Sequence, residues 1–176
     1  MLDRQIPAVT LKTRVRDETL DGPNPFRWQD LSIRDEFAGR KVVVFALPGA
    51  FTPTCSTEQC PAFERLYDDL REAGADEVYC LAVNDAFVMY QWGRHLGLSK
   101  VRLLPDGSAA FTRRMGMLVD KDHLGFGMRS WRYAMIVEDN RITAWFEEPG
   151  INDEGLDEDP YGETAPEKVL EVLRAS

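Results

Sequence analysis

The chain has 176 residues, 30 acidic against 21 basic, and a formal net charge of −9. That length favours a single domain, residues 1–176, with a core large enough to need no staples, and the acidic balance without a Lys/Arg stripe excludes nucleic acid as an expected partner. No stretch approaches the roughly 18 apolar residues of a membrane span and the first 20 residues build no signal-peptide core, so a cytoplasmic protein without membrane partners is expected.

From the N-terminus, residues 8–15 alternate as a strand, residues 21–25 carry turn chemistry and residues 26–33 resume the alternation, which predicts a hairpin. Residues 41–47 are a nearly continuous apolar run, the pattern of a strand buried on both faces, stopped by Pro48 and Gly49. A helix is expected next, with Thr52 as N-cap, Pro53 as its first residue and Cys55 inside the first turn. Strand patterns at 78–83, 101–104 and 133–137 then alternate with helical ones at 86–96, 109–115 and 167–173. The stretch 150–163 reads as a surface loop, and its acidic run from Asp153 to Asp159 as solvated charge. Alternating strands and helices imply crossover connections, hence an α/β fold with a central mixed β-sheet flanked by helices and an N-terminal β-hairpin. In such sheets the chemistry sits at the carboxyl ends of strands, which is where residues 48–55 fall.

Three cysteines, Cys55, Cys60 and Cys80, form no C-x-x-C pair, and neither His95 nor His123 stands at ligand spacing from them. A structural disulfide framework and a metal site are therefore not expected, and thiol redox chemistry is. A sulfur in the first turn of a helix lies among N–H groups without intrahelical acceptors, whose partial positive charge favours thiolate over thiol. The backbone N–H groups of Thr54 and Cys55 are candidate donors to an oxygen reacting at that sulfur.

The run P-G-A-F-T-P-T-C, Pro48 to Cys55, resembles the peroxiredoxin signature P-x-x-x-T-x-x-C, including the P-G-A-F-T-P stretch of its type II branch. V-N-D-A-F-V-M from Val83, L-P-D-G from Leu104, M-G-M-L-V from Met115 and L-G-F-G-M-R-S-W-R-Y-A-M from Leu124 are similar to plant type II peroxiredoxins and to bacterial hybrids that fuse a peroxiredoxin to a glutaredoxin. The resemblance covers about residues 9–149; the sequence has no C-P-Y-C type motif, and a glutaredoxin domain is not expected. It implies a thioredoxin-like fold and a thiol-dependent peroxidase that reduces hydrogen peroxide and alkyl hydroperoxides through a sulfenic acid on Cys55. It also implies roles: Thr52 hydrogen-bonding the peroxide, Pro48 shielding the sulfur from water, and Arg132 as the active-site arginine. Arg129 is either support for that site or an exposed charge. No cofactor or metal is implied, only a thiol reductant, either glutathione, glutaredoxin or thioredoxin, with the likeness to the hybrids favouring glutathione and glutaredoxin. A homodimer is implied as well, with Phe51, Phe87, Trp92 and Phe126 near the active-site face. Gln59 stands where many type II members carry His.

Three routes remain open for the sulfenic acid: an external thiol, Cys60 and Cys80. Cys80 matches the second cysteine of plant type II proteins, whereas the five-residue step from Cys55 to Cys60 matches the bacterioferritin-comigratory branch. In a regular α-helix that step rises about 7.5 Å and turns the side chains apart, so a disulfide between them requires unwinding. A redox sensor or relay and a holdase chaperone are the rival functions, the second disfavoured by the intact Thr52, Cys55 and Arg132 set. Phe63, Leu66, Leu70 and Trp92 have helical spacing and read as packing, and both histidines as surface groups.

Overall fold

In the computed structural model, which describes residues 1–176, β1 (Thr10–Arg16) and β2 (Phe26–Ser32) pair antiparallel, with Thr10 opposite Ser32 and Arg16 opposite Phe26. This is the expected N-terminal hairpin. Helix α1 (Ile33–Phe37) follows directly, its Asp35 N–H donating to the Ser32 hydroxyl. Next come β3 (Lys41–Ala46), a π-helical turn at Cys55–Gln59, α2 (Cys60–Arg65), α3 (Tyr67–Glu72), β4 (Glu77–Ala82), α4 (Ala86–Leu96) and β5 (Arg102–Pro105). The chain ends with α5 (Ala110–Arg114), β6 (Leu118–Asp120), β7 (Met128–Ser130), β8 (Tyr133–Glu138), β9 (Arg141–Glu147) and α6 (Pro166–Ala175).

Five strands form the central sheet in the order β5-β4-β3-β8-β9. β3, β4 and β5 run parallel, while β8 is antiparallel to β3 and β9 to β8, so the sheet is mixed. Strand β9 goes beyond the sequence expectation. Its signal was the Asp139-Asn140 pair, both residues at positive φ, the backbone of a two-residue hairpin turn between alternating segments.

Alternation along β3 divides the core into two layers. Val43, Phe45 and Leu47 face Phe63, Leu70, Trp92 and Leu173 from α2, α3, α4 and α6. Val42, Val44 and Ala46 face Phe37 and Phe111 from α1 and α5. Full burial of one such aromatic side chain contributes roughly 1.5–3 kcal/mol, and Phe45 and Phe63 stack with ring centroids 3.9 Å apart. Cys80, like Val78 and Ala82 on β4, belongs to the first layer, which also holds Cys55 and Cys60. No helix is long and apolar enough to cross a membrane.

Candidate active site

Strand β3 delivers the chain into a loop that its neighbours clamp. Gly49 has φ +153°, and a Cβ there would lie 2.0 Å from Arg129 Nη1, so both backbone conformation and space call for glycine. The Arg129 guanidinium donates to the carbonyls of Pro48 and Phe126, each at 3.1 Å, and Asn84 Oδ1 accepts the Ala50 N–H at 2.9 Å. Arg129 is therefore half-buried support for the loop. Burial lowers its pKa, against the pull of the nearby Cys55 sulfur.

Thr52 departs from its expected role as helix cap. Its hydroxyl donates to the Gly49 carbonyl at 2.7 Å, which leaves the oxygen lone pairs open. The first helical residues are Pro53 and Thr54, as expected, but at Cys55 the helix widens into the π-turn, closed by the Cys60 N–H donating to the Cys55 carbonyl. The N–H groups of Thr54 and Cys55 have no acceptor in the protein; the first bond of the turn is Ser56 N–H to Thr52 O at 3.0 Å. They flank Cys55, a residue only 1% exposed.

Arg132, 2% exposed, comes from the bend between β7 and β8. Its Nη1 lies 3.4 Å from Cys55 Sγ and also donates to Gln59 Oε1, while Nη2 donates to Asp159. Its Nε–H is buried without a partner, and the guanidinium carbon lies 5.7 Å from the Tyr161 ring centroid. Burial opposes its charge, but the Cys55 sulfur and the Asp159 carboxylate outweigh that and raise its pKa.

The acidic loop is more than solvated charge, which corrects the sequence reading. The Glu148 carboxylate accepts the N–H groups of Glu163 and Thr164 at 3.1 and 2.7 Å, tying the two ends together as an Ω-loop. Lys121 donates to both oxygens of Asp157 at 3.0 Å, with side-chain exposures of 3% and 6%, and its ammonium lies 5.2 Å from the Trp131 ring centroid. Gln59 reaches Thr164 Oγ1 at 3.4 Å. The loop thus straps the face that carries Arg132. Two cations in apolar surroundings, Lys121 and Arg132, required counter-charges, and the acidic run was the available source.

Beside the strap lies a cavity of about 270 Å³ lined by Pro48, Thr52, Pro53, Phe126, Asp157 and Asp159 among others. Pro48 and Thr52 thus share this cavity with the strap. Cys60 and Cys80 are fully buried, and no disulfide is formed. Burial, followed by the hydrogen-bonded Cys60 thiol, pushes the Cys80 pKa well up. The π-turn brings residues five apart nearer to one face than an α-helix does, and β4 sets Cys80 in hydrogen-bond contact with Cys60, so Cys55, Cys60 and Cys80 form one buried thiol cluster. Trp92 is fully buried and donates to Ser56 Oγ at 2.9 Å, which makes it core and removes it from any exposed face. Both histidines are exposed, as expected. No group of three or more His, Cys, Asp or Glu side chains is arranged to hold a metal ion.

The family model described as Redoxin matches residues 5–163. Peroxiredoxin y4vD of Sinorhizobium fredii is 60% identical over 97% of this chain and 90% of its own length. A hybrid peroxiredoxin of Haemophilus influenzae, hyPrx5, is 38% identical over 98% of this chain and 66% of the relative. Among solved structures, reduced Prx3 of Vibrio vulnificus in complex with hydrogen peroxide superimposes with a TM-score of 0.81 at 33% identity, covering 98% of this chain and 95% of that one.

Proposed function

Since the chain belongs to the peroxiredoxin family, in its type II branch, and is a thiol-dependent peroxidase that needs no cofactor, we propose that Cys55 is its peroxidatic thiolate. The observation that carries this reading is the 3.4 Å contact between Arg132 Nη1 and Cys55 Sγ, beside the unpaired N–H groups of Thr54 and Cys55. The thiolate attacks one peroxide oxygen, the O–O bond breaks, and the departing RO⁻ takes up a proton as ROH, leaving the sulfenic acid on Cys55. Two thiols then return the sulfur, releasing water and a disulfide. The free Nε–H of Arg132 and the two backbone N–H groups are donors for the peroxide oxygens, on which negative charge grows in the transition state. The Thr52 oxygen accepts a hydrogen bond from the peroxide O–H, because its own hydrogen is committed to Gly49. Pro48 walls off water, and Arg129 holds the loop.

Hydrogen peroxide and alkyl hydroperoxides are the substrates, and glutathione with glutaredoxin is the reductant system; the likeness to the hybrid peroxiredoxin supports it. The buried thiol cluster favours a second reading, thioredoxin-dependent turnover through an intramolecular disulfide from Cys55 to Cys60 or Cys80. The protein works as one unit of residues 1–176 in the cytoplasm and pairs as a homodimer, to which the half-exposed Phe51, Phe87 and Trp28 rings lend an apolar face. Peroxidase assays with each donor system, on wild type and Cys55→Ser, test the assignment. The serine variant is expected to be inactive with every donor, and retained turnover would overturn Cys55. A peptide map under non-reducing conditions, after one equivalent of peroxide without donor, separates a trapped sulfenic acid from a Cys55 disulfide.

A further inference from the structure

We propose that Asp159, from the acidic strap, is a positioning residue for the peroxidase reaction, acting as counter-charge and anchor for Arg132; this rests on the reading of Cys55 and Arg132 above. Arg132 is buried, and a buried guanidinium without an anion is unstable. Its contacts divide by edge: Nη2 on Asp159, Nη1 shared between Gln59 and the Cys55 sulfur, and Nε free. Two acceptors on different nitrogens fix the guanidinium plane, so the free Nε–H keeps a constant direction.

The strap holds Asp159 at a cost that a solvated loop would not bear. Asp159 sits at φ +52°, although Pro160 follows it and residues before proline favour extended backbone. Non-glycine residues persist in such conformations only where their surroundings over-determine them. Here the surroundings are a relay: Lys121 holds the Asp157 carboxylate, Asp157 Oδ1 accepts the Asp159 N–H at 3.0 Å, and the Asp159 carboxylate takes Arg132. The two aspartates thus pair the two buried cations of this face one after the other.

The carboxylate has two opposed effects. It subtracts from the positive charge that Arg132 sets beside the Cys55 sulfur, and it aims the donor that the peroxide needs. Removing the charge therefore makes the thiolate easier to form and the reaction slower, a combination that neither a purely structural contact nor a purely electrostatic one produces.

The test uses the full-length protein with Asp159→Asn and Asp159→Glu, its readouts being the peroxide rate of the reduced enzyme by stopped flow and the pH midpoint of Cys55 alkylation, followed on the Cys55 peptide by mass spectrometry. For Asp159→Asn the rate is expected to fall about tenfold, and the midpoint to move down by roughly half to one pH unit. Asp159→Glu is expected to return the midpoint to its wild-type position and to recover most of the rate. A midpoint that stays in place or rises, or a rate within twofold of wild type, overturns the role of Asp159. Cys55→Ser, run in parallel, separates the two levels: if it turns over peroxide, the assignment of the site has failed, whereas an inactive serine variant beside a wild-type-like Asp159→Asn removes only the strap's role.

Discussion

The loop that presents Cys55 and the acidic loop that covers it differ in where their specification lies. The first is written into its own residues: Pro48 ends a buried strand, Gly49 passes where a side chain would strike Arg129, and Pro53 starts the helix that carries the thiol. The second is specified by what it meets. Asp157 and Asp159 are ordinary acidic residues until Lys121 and Arg132 stand beneath them. A loop that presents a thiol can thus be recognised from a short run, whereas a strap that pairs buried cations is visible only once the cations it neutralises are in place.

The strongest challenge to this contrast is Asp157→Asn. If the strap is anchored by its buried ion pair, the variant leaves Lys121 buried without an anion and loses about 3–5 kcal/mol in denaturant unfolding near neutral pH. Burial works to raise the Asp157 carboxyl, but Lys121 outweighs it and holds the pKa below the usual carboxylate range. Its stabilisation is accordingly present above the unfolded value of about 3.9 and lost as pH falls through the lower folded value, so wild type and variant converge below about pH 4. A loss under 1 kcal/mol at neutral pH contradicts the anchor.

On the other side of the comparison, Thr52→Val preserves volume but removes the hydroxyl that donates to Gly49 and, in the proposed mechanism, hydrogen-bonds the peroxide. The peroxide step is expected to slow about 100-fold, equivalent to roughly 2.7 kcal/mol, with a melting temperature near wild type. A rate within threefold of wild type would reduce Thr52 to a loop contact.

The smallest effect sharpens the picture of the strap itself. Gly155 has φ +69°, and a Cβ there would lie 2.6 Å from the exposed His123 ring. Gly155→Ala is expected to cost about 1–2 kcal/mol of stability while Cys55 keeps most of its peroxide reactivity. Equal stability would mean that the strap passes this point without constraint.

The periodicity of residues 41–47 and 78–83 was enough to place two central strands, because a strand buried on both faces has few polar positions to disguise it. The position of Cys55 in the first helical turn followed from Thr52 and Pro53, and the run from Pro48 to Cys55 carried the family resemblance. Strand β9 was hidden because its turn, Asp139-Asn140, lacks the glycine that usually marks one. The direction of the Thr52 hydroxyl, the packing of the π-turn on β4 that gathers Cys55, Cys60 and Cys80, and the strap's grip on Arg132 belong to tertiary structure alone. Each depends on groups distant in sequence competing for the same donors, acceptors and space, and such a competition has no local periodicity from which to read it.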